Sequence, residues 1–129
     1  MTAYLLDTHA AIWWWTANSR LGSKAASLIA SRDADIFFSA ASVWEIAIKN
    51  NAGKLPEIVD FANQYKPLMQ ANGFRALAVT DDHALRGGFL PGVHRDPFDR
   101  LIAAQALMEK MTVITRDPAI ASFGCDVFW

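Results

Sequence analysis

The sequence predicts an α/β fold of three layers, with helices on both faces of a central parallel sheet of four to five strands. Three observations predict it. Short apolar runs recur along the 129 residues, each too short for a helix. Between them lie segments whose apolar residues follow helical spacing. Strands alternating with helical segments are the signature of βαβ units.

Each element has a local reason. Ala3-Tyr4-Leu5-Leu6 reads as a buried strand stopped by Asp7, and Asp7 or Thr8 can cap a helix from His9 to about Ala17. Leu21, Ala25, Leu28 and Ile29 set a second helix over Ser23 to Ser31. Ile36-Phe37-Phe38 is a second strand, passing through Ser39-Ala40-Ala41-Ser42 into a helix with Val43, Trp44, Ile46 and Ala47. From Pro56, the residues Ile58, Phe61, Ala62, Tyr65, Leu68 and Met69 predict a helix that Pro67 kinks or divides and Asn72-Gly73 ends. Leu77-Ala78-Val79 reads as a third strand, followed by a short helix capped by Thr80 and reaching about Arg86. Gly87-Gly88 and Pro91-Gly92 predict a loop. Asp96-Pro97 opens a long helix to Lys110, Val113-Ile114-Thr115 is a fourth strand, and Val127-Phe128 is a fifth.

Composition narrows the class. Hydrophobic residues make up 53 % and charged residues 19 %, against a usual charged share of about 25 %. Disorder is excluded, and so apolar a chain of this length suggests that some surface serves an interface. Residues 1–129 are expected to form one domain. The longest run without Asp, Glu, Lys or Arg is Thr8 to Ser19, twelve residues, against the roughly 20 apolar residues of a membrane span. No basic segment precedes the first apolar run, so no secretory leader is expected. One cysteine, Cys125, forms no internal disulfide, which fits a reducing cytoplasm. The net charge of −1 means that any nucleic acid must be met by a local basic patch.

In a parallel α/β fold, ligands bind where strand C-terminal ends meet helix N-terminal ends. Four elements deliver an acid to that edge: Asp7 after the first strand, Glu45 early in the helix after the second, Asp99 in the first turn of the Pro97 helix, and Asp117 after the fourth. Asp96 adds a fifth candidate. Capping explains several of them singly. Ser42-Val43-Trp44-Glu45 has the form of a capping box, Asp96-Pro97-Phe98-Asp99 is a good helix start, and Asp117 before Pro118 suits a turn. Convergence favours another use, since two unit charges about 5 Å apart repel by about 3 kcal/mol at an effective dielectric of 20. Carboxylates without His or Cys at ligand spacing suit hard ions, Mg²⁺ or Mn²⁺, and metal-assisted phosphodiester hydrolysis. Glycine-rich dinucleotide, Walker and nucleophile-elbow motifs are absent.

At these residues the chain resembles the PIN domains, specifically the VapC-type ribonuclease toxins of bacterial toxin–antitoxin systems. The likeness rests on Leu5-Leu6-Asp7-Thr8-His9, on Ser39 to Lys49, on His94 to Ala106, and on Thr115-Arg116-Asp117, in that order along nearly the whole chain. It implies a PIN-like fold and an endoribonuclease whose acids Asp7, Glu45, Asp99 and Asp117 hold Mg²⁺, with Mn²⁺ able to substitute. Thr115 matches the family's hydroxyl two positions before the last acid. The resemblance also implies a homodimer and a cognate antitoxin whose peptide lies across the groove, with an Arg or Lys among the acids. Two alternatives stay open: a DNA-directed nuclease or phosphatase on the same edge, and a non-catalytic RNA-binding or interaction module with a vestigial metal site.

Lys49, Arg95, Arg100 and Arg116 stand near the acids in sequence. They read either as phosphate contacts or as partners of the acids and a solvated face, with Arg116 the best placed for phosphate. His9 and His94 could assist proton transfer, although turn or packing roles fit them better. Trp13-Trp14-Trp15 spans about 200° of a helix, more than one face can bury, so part of it is expected on a partner surface, with base stacking the weaker alternative.

Overall fold

The computed structural model describes residues 2–129. Its elements run β1 (Ala3–Leu6), α1 (Thr8–Trp15), α2 (Ser23–Ala30), β2 (Asp35–Ser39), α3 (Ala40–Asn51), α4 (Phe61–Asn72), β3 (Arg75–Leu77), α5 (Asp81–Phe89), α6 (Pro97–Glu109), β4 (Thr112–Ile114), α7 (Pro118–Ser122) and β5 (Val127–Phe128). The strands form one sheet in the order β3-β2-β1-β4-β5, and every pair is parallel. Among the described residues no helix is long and apolar enough to cross a membrane.

Register explains the three layers. Leu5 pairs with Phe37 and Val113, whereas Leu6 pairs with Phe38 and Ile114. Successive side chains on a strand face opposite ways, so these rows enter different cores. Leu6, Ile36, Phe38 and Ile114 pack with Ala10, Ala11, Ile29, Ile46 and Phe61 from α1 to α4. Leu5 and Val113 pack with Ile102, Ala103 and Ala106 of α6 and Ile120 of α7. Leu5, Leu6, Phe38, Val113 and Ile114 are wholly buried, each contributing roughly 1.5–3 kcal/mol. That burial holds strands of only three to five residues in place.

Several boundaries differ from expectation, each for a physical reason. β3 is Arg75–Leu77, two residues earlier than the apolar run suggests, because Arg75 pairs with Phe37 and Leu77 with Ser39. As an edge strand it tolerates the exposed Arg75, whose guanidinium lies 5.9 Å from the centre of the Phe37 ring. The Ala78 carbonyl beyond it is taken by Gln105, at 3.1 Å. α4 begins at Phe61 rather than Pro56. The preceding segment is a loop pinned by the Asn50 amide, which donates to the Ile58 carbonyl at 2.7 Å, and Asp60 is left-handed at φ 53°. Pro67 lies inside α4 without dividing it. Gly87 and Gly88 belong to α5, not to a loop. A Cβ at Gly87 would stand 3.4 Å from the Arg100 carbonyl oxygen, so the missing side chain lets α5 lie close on α6. α7, five residues long, is too short to show a helical period.

Candidate functional site

The strand order places the site. β1 passes its chain to β2 on one side and is flanked by β4 on the other, so the connections diverge around the C-terminal ends of β1 and β4, the crevice where α/β sheets bind ligands. Asp7 leaves β1 at this point and its N–H donates to the Ile114 carbonyl at 3.2 Å. Its Oδ1 accepts the Ala10 N–H at 2.7 Å, capping α1, and its Oδ2 accepts the Thr115 hydroxyl. The same hydroxyl accepts the Asp117 N–H at 3.0 Å, so one Thr side chain ties the two acids together. Asp117 caps α7 through the Ala119 N–H at 2.9 Å.

Asp99 is spared from capping. Asp96 takes that role, accepting the N–H groups of Phe98 and Asp99 at 2.9 and 3.2 Å. The Asp99 Oδ2 lies instead 2.8 Å from Nε2 of His94, whose contact with an acid was the less expected role for that residue. The Ser42 to Glu45 capping box does not form either. Ser39 caps α3 through the Ala41 N–H at 3.0 Å, and Ser42 accepts the Thr8 hydroxyl at 2.9 Å. Glu45, 5 % exposed, faces Lys49 one turn on, with Nζ 2.7 Å from Oε2.

Charge couples three of the acids. Burial raises Asp7 above the usual carboxylate range, against its bonds from Thr115 and Ala10 and the nearby His9, and Asp117 pushes it further. Burial also raises Asp99, opposed by its bond to His94 and reinforced by the charges of Asp96 and Asp117. Asp117 thus acts on both Asp7 and Asp99. Glu45 lies in the second turn of α3, the helix that follows β2. Among the described residues, no three His, Cys, Asp or Glu side chains already stand as a closed ligand group. The acids border the edge rather than collapse into a shell.

The basic residues divide by use. Arg100 spends its guanidinium on backbone carbonyls: Gly87 at 2.9 Å, His94 at 2.9 Å, Gly88 at 3.4 Å and Leu90. It fastens the loop between α5 and α6 instead of facing the acids. Lys49 is engaged by Glu45, and Arg95 is exposed on the loop. Arg116 is exposed beside the acids, its guanidinium 4.6 Å from the centre of the Trp13 ring. The three tryptophans do not act as one surface. Trp14 donates its indole N–H to Asn72 at 2.9 Å, and Trp15 packs on Phe38, Phe61 and Phe74. The large apolar side chains that stand exposed lie elsewhere, at Trp44, Ile48, Val59, Leu85, Phe89, Val93 and Val127. Sequence reasoning overlooked Trp129, which meets Trp13 edge-on at 5.9 Å; an isolated aromatic after a two-residue strand carries no periodic signal.

A parallel α/β sheet with acids from separate elements bordering its β1–β4 crevice is a recognised class of architecture. The chain belongs to the PIN domain family, whose model matches residues 4–124. It is 29 % identical over 123 residues to ribonuclease VapC22 of Mycobacterium tuberculosis, spanning 95 % of this chain and 92 % of that protein. Among solved structures it resembles VapBC2 from Rickettsia felis bound to a DNA fragment from its promoter, with a TM-score of 0.71, 16 % identity and 98 % of both chains covered. FitAB bound to the IR36 DNA fragment gives 0.64 and 25 %, over 97 % of this chain and 93 % of that one.

Proposed function

We propose that the chain is a divalent-metal-dependent endoribonuclease and the toxin of a two-protein toxin–antitoxin pair. The observation that carries this reading is the coupled set Asp7, Asp99 and Asp117. Two of them are pushed up mainly by burial, and among the described residues none has a Lys or Arg within salt-bridge reach. Asp7, 9 % exposed, accepts only neutral donors. Buried negative charge without a cation is costly, and here it is concentrated where this fold class binds ligands. The 29 % identity to a protein named a ribonuclease supports the same reading.

The donor set fits a hard ion. Asp7, Glu45, Asp99 and Asp117 would hold Mg²⁺ or Mn²⁺, through waters where the carboxylates stand apart. Such an ion lowers the pKa of an attacking water and neutralises charge developing on the phosphate. The protein's own groups do the rest. Thr115 holds the Asp7 carboxylate and the Asp117 backbone in one orientation. His94 orients Asp99. Lys49 balances Glu45, and exposed Arg116 stands beside the acids, where a substrate would lie. The solved neighbours VapBC2 and FitAB support an antitoxin partner for this chain. Trp44 and Ile48 on α3 supply exposed apolar surface next to Glu45 for such a partner or for a second copy. The test is cleavage of single-stranded RNA by the purified protein with Mg²⁺ or Mn²⁺, with DNA and a phosphate monoester in parallel. Cleavage of RNA that stops in EDTA is expected. Equal cleavage in chelator, or hydrolysis of only the other substrates, would overturn the reading.

A further inference from the structure

Holding an ion leaves one cavity on this edge unexplained. It measures about 350 Å³ and is lined by Asp7, His9, Asp117, Trp13, Trp129 and Arg116. The two indoles meet at 73°, and the Arg116 guanidinium lies 4.6 Å from the Trp13 ring centre and 6.0 Å from that of Trp129. Trp129 is held from two directions. The Thr115 N–H donates to the Phe128 carbonyl at 3.0 Å, fastening the neighbouring residue to the one that orients Asp7. On the other side the indole lies against Gly22, where a Cβ would come within 2.9 Å of Nε1. The neighbouring tryptophans have structural partners. Trp13 and Trp129 also pack in part against the core, and their remaining surface lines the cavity with Arg116 beside the acids.

That chemistry suits one class of ligand. Phosphate contacts position a nucleic acid without reading it. Single-stranded RNA is read by bases turned out of the stack and laid on aromatic rings and guanidinium planes. An apolar peptide side chain would leave Arg116 facing it unpaired, whereas a base edge brings acceptors to it.

We propose that the cavity is a nucleobase subsite, in which a base flanking the cleaved phosphate seats against Trp13 and Trp129 with Arg116 at its edge. The inference rests on the ribonuclease reading for the position of that phosphate, so its test has a separate arm. The protein is labelled with ¹⁵N and titrated in EDTA with each nucleoside 5′-monophosphate, and the indole N–H resonances are followed. Those of Trp13 and Trp129 are expected to move, with one base moving them most, while those of Trp14, Trp15 and Trp44 stay. With metal, kcat/KM on RNAs carrying the favoured base beside the cut should fall roughly 5- to 150-fold in Trp129→Leu, the range that one base stack is worth. Trp129→Phe should restore most of it, and Gly22→Ala, which displaces the indole, should lower it.

Titrations that leave both resonances unmoved would overturn the subsite. So would an unchanged base preference in Trp129→Leu, including the case in which that variant weakens only inhibition by an antitoxin. A protein that shows the base-dependent shifts but cleaves no RNA would defeat the ribonuclease reading and leave the subsite standing.

Discussion

Two buried polar clusters lie within this small fold, and they are built on opposite rules. In the first, Ser39, Gln105 and His83 join β2, α5 and α6. The Ser39 hydroxyl donates to Gln105 Oε1 at 2.5 Å, and Gln105 Nε2 donates to the Ala78 carbonyl at 3.1 Å. His83 Nδ1 accepts the Thr80 N–H at 3.0 Å, while Nε2 lies 3.2 Å from Glu109. Each buried group there has a partner. In the second, Asp7, Thr115, Asp117 and Asp99 gather carboxylates that accept neutral donors or a histidine, and repel one another. Both clusters are hydrogen-bonded. Compensation of charge is what separates them, and that difference is the ground of the proposed metal site.

The comparison is broken or sharpened first by activity. Asp99→Asn, Asp117→Asn and Glu45→Gln should each fold and lose roughly 100-fold or more of RNA cleavage, because an ion contributes several kcal/mol to the transition state. Asp99 and Glu45 cap nothing, so an amide that kept full activity would remove that residue from the site.

Next comes the structural cluster. Gln105→Ala should destabilise by roughly 1–3 kcal/mol for each buried partner left unpaired, read by chemical denaturation. The shift that Mg²⁺ or Mn²⁺ causes in its melting midpoint should match that of the parent. Loss of that shift would mean the two clusters are not separate. In the parent, metal at about 100 times its dissociation constant should add about 2.7 kcal/mol.

The smallest effect is on pH. Asp7 and Asp99 have folded values raised above the ordinary 3.8. Between that value and the raised one the folded state binds more protons than the unfolded state, so the stability contributed by these groups falls as pH rises through the window. In EDTA, the difference in stability between Asp99→Asn and the parent should therefore shift in favour of the variant as pH climbs from 3.8. A difference that stays flat with pH would show that Asp99 is not desolvated in the folded protein.

Legibility in the sequence followed how local each signal was. The alternation of apolar runs and helical periods was enough for the layers, and Asp7, Asp96 and Gly73 cap or end helices where their residue types suggest. The positions of Asp7 and Asp117 after strands and of Asp99 in the first turn of α6 were legible because each signal is local. What sequence could not carry was the pairing between distant segments. β3 slid two residues because its register is set by Phe37 to Ser39. Arg100, adjacent to Asp99 in the chain, turns to the carbonyls of Gly87 in α5 and of His94 before α6. The capping box at Ser42 was lost to a hydroxyl 34 residues away on Thr8.

The most direct test of the charged edge is calorimetric titration of Mn²⁺ into the metal-free protein and into Asp7→Asn, Glu45→Gln, Asp99→Asn and Asp117→Asn. The parent should bind, and each amide should weaken binding by about tenfold or more, a loss of at least about 1.4 kcal/mol. A parent that binds no Mn²⁺, or four variants that bind it as tightly as the parent, would contradict the assignment of these carboxylates to a metal.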